Sequence, residues 1–369
     1  MVKKMQFSPL YVNDNKARLH LDKAQLQGLA LLKEDIQKKK LVLRKNRCLC
    51  NNTDSNKDIL ISEKDRYGLP IPQILCSKCG IIRSQVVFDD SSNNLFYEKY
   101  YRTIYTTKSP SESFFREQQD HGKQFINLLE DNNILPQIND VVEIGCGAGG
   151  ILKPFKDSGK NIKGFDFDQQ YLNFGIKEGL SLFNGDYTSF LKDESCDLII
   201  LSHVLEHFLN PIEEIWNILK KIRVGKYLLV EIPGIYNIKN AYVDPLLYFQ
   251  NAHIYNFHEK HLRIFFKSFN LKVIVGDETA IFVCQKQSIV KKPSYIYNDI
   301  LEHEVTKEYN YLVSCKKSYQ SISNLIKRKH LYEKSIKVAY NLACIFGWKK
   351  IRRFVPQKIR TYFLNKILF

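Results

Sequence analysis

Apolar positions change period along this chain. Residues 15–43 set Leu19, Leu21, Leu26, Leu29, Leu32 and Ile36 at mostly helical spacing with charges between them, which predicts one or two amphipathic helices. After a further helical stretch, FFREQQDHGKQFINLLEDN, short apolar runs take over. Strands are predicted near 140–145, 161–166, 181–184, 196–202, 226–232, 271–276 and 279–285, with helical patterns between the first five. Such alternation implies a parallel sheet covered by helices on both faces. The last two strands, LKVIVG and AIFVCQK, are joined by a turn too short for a crossover, so they must pair antiparallel.

The first of these strands carries the candidate chemistry. It reads VVEIGCGAGG over 141–150, an apolar run ending in Gly145, Gly147, Gly149 and Gly150 around Cys146. Glycines at that point let backbone N–H groups approach a ligand closely, and the following helix aims its N-terminus at the same place. This is the pattern of a nucleotide-binding loop. Gly145, Gly147 and Gly150 also satisfy G-x-G-x-x-G, with Asp166 where a dinucleotide fold places its ribose acid. Two features point elsewhere: Glu143 lies inside the strand, where it faces the pocket, and CDLIILSHVLEH follows over 196–207 at the spacing of a fourth strand.

Together with GFDFD at 164–168 and NGDY at 184–187, these motifs resemble those of class I S-adenosylmethionine-dependent methyltransferases over about 137–285. The resemblance implies an α/β fold with a Rossmann-like seven-stranded sheet, five parallel strands plus an antiparallel hairpin. It implies that backbone at Gly145, Cys146, Gly147 and Gly149 lies against the methionyl and ribose portion of the cofactor, and that Glu143 receives its ammonium through water. Asp166 would hold the ribose hydroxyls, Phe167 would cover one face of the adenine, and Asp186 with Tyr187 would take the adenine edge. Ser202, His203 and Glu206 would line the same pocket, the LEH unit also starting the next helix.

Upstream, the pairs Cys48/Cys50 and Cys76/Cys79 stand with 25 residues between them. Two close thiol pairs suit a tetrahedral zinc site, and Gly80 allows the tight turn after the second pair. A zinc there would be structural, since four thiolates leave no position for water. This stretch and the tyrosines that follow it, Tyr97, Tyr100, Tyr101 and Tyr105, resemble the N-terminal module of sugar C-methyltransferases and related polysaccharide-locus enzymes. That resemblance implies that the tyrosine-rich region closes over the cofactor and that a tyrosine faces the sugar. Packing of the module onto the main domain explains the same aromatics. Ser111 or Ser113 would cap the helix that follows.

The candidate bases are histidines, the side chains that titrate nearest neutral pH. His203 and His207 lie four apart, sharing a helical turn if the chain is helical there. His253 sits in YFQNAHIYNFHEKHL with His258 and His261, and matches the histidine of the Glu-His dyad of sugar C-methyltransferases. The preceding residue is Ala252 rather than Glu, which leaves O-methylation as open as C-methylation.

Composition adds limits. With 369 residues, 44% hydrophobic and 25% charged, the chain has room for one α/β domain and appendages. Its apolar runs fall short of the roughly 18 residues of a membrane span, and MVKKMQFSPLYVNDN lacks the apolar core of a secretory signal. The nine cysteines form no disulfide framework, so a reducing cytoplasm is expected, with a peripheral position at the inner face of the membrane also open. Of the net +16, much lies from Lys286 onward, where 18 Lys and Arg face 5 Asp and Glu. Such a tail attracts anionic membrane or an acidic polymer, or is a solvated helical surface; its last segment predicts a basic amphipathic helix with Ile359, Tyr362, Phe363 and Ile367 on one face. The expected order is therefore an N-terminal helical segment (1–45), a four-cysteine zinc module (46–92), a tyrosine-rich helical connector (93–136), an S-adenosylmethionine-binding domain (137–286) and a basic helical extension (287–369).

The function expected is methyl transfer from S-adenosylmethionine to oxygen or carbon of a sugar or glycan acceptor, nucleotide-linked or part of a surface polysaccharide or glycolipid. Rivals are methylation of RNA or of another small molecule such as a lipid or quinone, and a zinc-bearing binding protein without turnover. Nucleic acid is disfavoured: the chain has LSHVLEH where adenine-amino enzymes carry Asn/Asp-Pro-Pro-aromatic, and no RNA module flanks the core.

Overall fold

The chain enters its first helix, α1 (Lys23–Gln37), through a capping box in which the Asp22 carboxylate accepts from the Gln25 amide and the Gln25 side chain accepts from the Asp22 amide. Leu29 and Leu32 are buried on its inner face while Leu26 is largely exposed, so the expected helical stretch resolves into a single helix. The computed structural model describes residues 9–105, 111–242, 244–278, 281–297, 304–321 and 324. They fall into a first unit ending at Leu312 and a second, beginning at Val313, described only at 313–321, which is helical, and at 324. The basic amphipathic helix expected near the C-terminus lies outside the described residues.

After α1 come a short strand β1 (Leu43–Lys45), then β2 (Ile59–Ser62), β3 (Gln73–Leu75), β4 (Ile82–Ser84) and β5 (Val86–Phe88). β1 pairs antiparallel with β5, and β2, β3 and β4 form an antiparallel ladder. A helical run follows as α2 (Asp90–Phe96), a π-helical turn Tyr97–Tyr101 and α3 (Arg102–Tyr105). Of the two serines considered as caps for α4 (Glu112–Asp131), Ser111 is the one that accepts from the Phe114 amide.

The α/β core then runs β6 (Asp140–Ile144), α5 (Leu152–Asp157), β7 (Asn161–Asp166), α6 (Gln169–Lys177), β8 (Leu182–Asn184), β9 (Cys196–Ser202), α7 (Pro211–Lys221), β10 (Ile222–Glu231), α8 (Ile238–Ala241), β11 (Tyr255–Asn256), α9 (Glu259–Ser268), β12 (Leu271–Gly276) and β13 (Ile281–Lys286). Among the described residues the main sheet has seven strands in the order β12-β13-β10-β9-β6-β7-β8. Neighbours from β8 across to β10 are parallel, and β13 runs antiparallel to both β10 and β12. The last two strands do pair antiparallel as expected, and the final one inserts beside β10, so it alone runs against the rest. One expected helix is missing: β8 reaches β9 through a 3₁₀ turn, Tyr187–Ser189, because the connection from Gly185 to Ser195 is too short for more.

Side-chain alternation explains the two layers. In β9, Leu198 and Ile200 pack with Val141, Leu229 and Val283 under Phe125, Leu129, Leu152, Phe155 and Leu172 of α4, α5 and α6. Ile199 and Leu201 pack on the other side with Val142, Leu228 and Val230 under Ile215, Leu219, Phe265 and Phe266 of α7 and α9. Burial on both faces is why this strand reads as an unbroken apolar run rather than an alternating one.

The helix–loop contact at Gly175 is tight. A Cβ built there would lie 2.1 Å from the Ala148 carbonyl oxygen, which belongs to the backbone of the glycine turn. Gly175→Ala should therefore cost about 1–3 kcal/mol and lower Tm by roughly 2–8 °C in a circular-dichroism melt. An unchanged melt would mean that α6 can move off the turn freely.

Candidate functional site

Strand β6 delivers the chain into a turn that side chains could not follow. Gly145, Gly147 and Gly149 have φ of +74°, +53° and +71°, and a Cβ on Gly145 would meet Val204 Cγ2 at 2.6 Å. The turn is pinned to the next strand by Gly145 and Cys146 amides donating to the Phe165 carbonyl at 2.8 and 3.1 Å. Asp166, ending β7, faces it: one carboxylate oxygen accepts from the Gly147 amide at 2.9 Å and the other from the Asp168 amide at 2.8 Å. Glu143 is buried, and its Oε2 has no hydrogen-bond partner among the described residues. Burial first, then the charges of Asp166 and Glu231, push its carboxyl well above the usual range. An orphaned buried carboxyl beside a turn of backbone with few side chains fits a ligand bearing a cationic group, as S-adenosylmethionine does.

The other expected cofactor contacts are spread around this turn. Phe167 stands 76% exposed next to Asp166, free to cover a flat ring. Asp186 caps its own turn, accepting from the Thr188 amide at 3.0 Å and the Thr188 hydroxyl at 2.6 Å, while the hydroxyl of buried Tyr187 has no hydrogen-bond partner among the described residues. Ser202 donates to Glu231 Oε2 at 2.6 Å. Two residues here escaped the sequence reading. Glu231 ends β10 and takes His121 Nε2 on its other oxygen at 3.0 Å; an acid closing an apolar strand, as Glu143 nearly does, was the available signal. Arg102, from the tyrosine-rich run, contacts Asp166 at 3.4 Å and Asp168 at 2.7 Å and lies over the Tyr171 ring, and nothing in the sequence marked it.

The histidines gather beyond the end of β9. His203 adopts φ +55° and Leu205–His207 form a 3₁₀ turn, so His203 and His207 share no α-helical turn; α7 starts only at Pro211, capped by Asn210, and not at the LEH unit. What unites the imidazoles is Glu206. Its Oε1 lies 3.6 Å from His203 Nδ1, 3.9 Å from His207 Nε2 and 3.7 Å from His253 Nε2. The residue before His253 could not have served as a dyad acid, because Ala252 packs among Tyr67, Leu69, Phe96 and Ile104. Glu206, from another loop, brings a carboxylate oxygen to 3.7 Å from His253 Nε2.

These imidazoles differ electrically. His203 is half exposed, and although burial pulls its pKa down, interaction with Glu206 and the charge of Glu231 carry it above the ordinary value. His207 and His253 are pushed down by burial, His253 well down, with His207, Arg66 and His203 adding to the effect on it. Among the tyrosines, Tyr97 is the one whose hydroxyl meets a histidine, at 2.9 Å from His207 Nδ1; Tyr100 bonds Asp35, and Tyr101 stacks on Tyr105. His258 and His261 lie elsewhere, buried near Glu308, with His261 Nε2 2.8 Å from the Cys79 carbonyl.

The four cysteines come together. Cys48 Sγ lies 3.5 Å from Cys79 Sγ and 3.4 Å from Cys50 Sγ, and Cys50 Sγ lies 3.7 Å from Cys76 Sγ. These are far longer than a disulfide of about 2.05 Å and near the roughly 3.8 Å edge of a tetrahedron with Zn–S of about 2.3 Å. Gly80, at φ +78°, donates its amide to the Cys76 carbonyl at 2.9 Å, closing the second knuckle. Buried Arg83, paired with Asp58 at 2.8 Å, adds positive charge near Cys48 and Cys76, and Asp58 in turn accepts from the Ser77 amide at 3.0 Å. The sulfur set fits a zinc ion.

Residues 114–275 match the family model of a methyltransferase domain. No curated protein matches the chain. Similar solved structures include a SAM-dependent methyltransferase from Archaeoglobus fulgidus, 19% identical with TM-score 0.35, covering 48% of this chain and 75% of that one. The PH0226 protein from Pyrococcus horikoshii OT3 is 15% identical with TM-score 0.37, covering 51% and 98%. A possible histamine N-methyltransferase from Thermotoga maritima is 17% identical with TM-score 0.32, covering 44% and 97%.

Cys76→Ser should lower the zinc content by one equivalent per chain by elemental analysis and reduce thermal stability. Unchanged zinc content in that variant would remove the metal from these sulfurs.

Proposed function

We propose that this protein transfers the methyl group of S-adenosylmethionine to an oxygen or carbon of a sugar, nucleotide-linked or within a surface glycan or glycolipid. The observation that carries the methyl-transfer reading is the open glycine turn set against Asp166 with the buried, unpartnered Glu143 behind it. The sugar assignment rests on the resemblance of the cysteine and tyrosine motifs. The cofactor supplies an electrophilic methyl on a good leaving group, so the protein has mainly to align an acceptor and remove its proton.

In this reading Gly147 and Asp166 hold the nucleoside portion and Glu143 balances the ammonium. His203 is the proton acceptor, since it alone of the three imidazoles combines solvent access with a pKa lifted toward neutrality, where a general base is most effective. Glu206 and Glu231 favour its protonated form. The zinc of the cysteine cluster has a structural part, holding the knuckles together.

Calorimetry with S-adenosylmethionine should show one site, weakened at least about tenfold, or about 1.4 kcal/mol, by Asp166→Asn. NAD bound in its place would overturn the reading. Labelled methyl should pass to nucleotide sugars or extracted glycans and not to total RNA; transfer to RNA alone would sink the sugar assignment. The rate should fall on the acid side with a midpoint above about 6.5, the ordinary histidine value, because His203 must be neutral to accept a proton. Glu231→Gln should bring that midpoint down, whereas a wild-type midpoint below about 6.5 would move the role to His207 or His253.

A further inference from the structure

Glu206 presents an imbalance beyond its electrostatic effect on His203. Its side chain is 2% exposed, and neither carboxylate oxygen has a hydrogen-bond partner among the described residues. Every nearby imidazole nitrogen stands at 3.6–3.9 Å from Oε1, beyond hydrogen-bond reach yet turned toward the same point. A buried carboxylate left in that state costs several kcal/mol, and neutral imidazoles at that distance recover little of it.

We propose that Glu206, His207 and His253 form a divalent cation site, separate from the cysteine cluster. One ligand atom from each lies within 4.8 Å of the others. Ligands at about 2.1 Å from a tetrahedral ion stand about 3.4 Å apart, so the 3.7 and 3.9 Å separations close with shifts of a few tenths of an ångström. Imidazole nitrogens and a carboxylate oxygen are donor types that first-row divalent ions take. With His207 Nε2 on the ion, its Nδ1–H donates to the Tyr97 oxygen at 2.9 Å, the outer contact that fixes a ligating ring. Arg66, the nearest guanidinium acting on both rings, is turned to the Leu247 carbonyl and the Tyr67 hydroxyl, each at 3.1 Å. The Gln250 amide nitrogen lies against His253 Nε2 and has to turn away for the ion to bind.

Two nitrogens, one carboxylate and no sulfur suit manganese, iron(II), cobalt or zinc, with remaining positions open to oxygen donors. The cysteine cluster, being all sulfur, discriminates against manganese. Manganese is therefore the probe that tells the two apart, and the inference stands independently of methyl transfer.

The experiment uses the full-length protein, dialysed against EDTA, with Mn²⁺ titrated and free Mn²⁺ read by electron paramagnetic resonance. One Mn²⁺ per chain is expected, with affinity reduced at least tenfold in Glu206→Gln and His253→Ala and equal or higher in Gln250→Ala. Circular dichroism establishes that each variant is folded; should the first two not fold, wild-type stoichiometry and the Gln250→Ala affinity decide alone. No Mn²⁺ bound by the wild type, undiminished affinity in folded Glu206→Gln, or weaker binding in Gln250→Ala would each overturn the site.

Discussion

Carboxyl groups gathered at one end of the main sheet's strands are the constraint around which the rest is arranged. Glu143, Asp166 and Glu231 come from the carboxyl ends of β6, β7 and β10, and Glu206 joins them from the loop after β9. Parallel strands deliver their ends to one side, so a fold of this kind concentrates whatever residues terminate them. The protein answers with donors, the Gly147 amide and Arg102 for Asp166 and His121 and Ser202 for Glu231, and sets the His203 imidazole 3.6–3.7 Å from Glu206 and Glu231. Glu143 and Glu206 are left short, and both readings of function begin from that deficit.

The glycine turn serves the same arrangement mechanically. Its three left-handed residues lay backbone where side chains would collide, and Val204, which would strike a Cβ on Gly145, belongs to the loop that also carries His203 and Glu206. The turn and the histidine loop are thus packed against each other. A change in either alters the distance between the proposed cofactor position and the proposed base.

Much of this was legible in the sequence, for identifiable reasons. The strands stood out because burial on both faces makes them continuous apolar runs, and the glycine turn because few residues other than glycine follow its path. The cysteine pairs met as their spacing implied. Whether His203 and His207 share a helical turn was left open by the sequence; they do not, because His203 turns left-handed where its amide reaches the Glu231 carbonyl, at 2.8 Å, a contact 28 positions away that local pattern does not encode. The approach of Glu206 to His253 was hidden because 47 positions separate them, so no local pattern places that carboxylate 3.7 Å from the imidazole. Arg102 sits in a stretch whose composition marks it only as aromatic.

The short strand β11 has a consequence of its own. Tyr255 and Asn256 extend the cysteine-bearing sheet by pairing with Arg83 and Ile82, only two residues after His253. The same few residues thus close the small sheet and line the cleft, so the front part of this protein is no detachable bead. Excising it to obtain a minimal catalytic core would strip a ladder partner from the segment that presents His253, and grafting it onto another enzyme would leave its sheet one rung short.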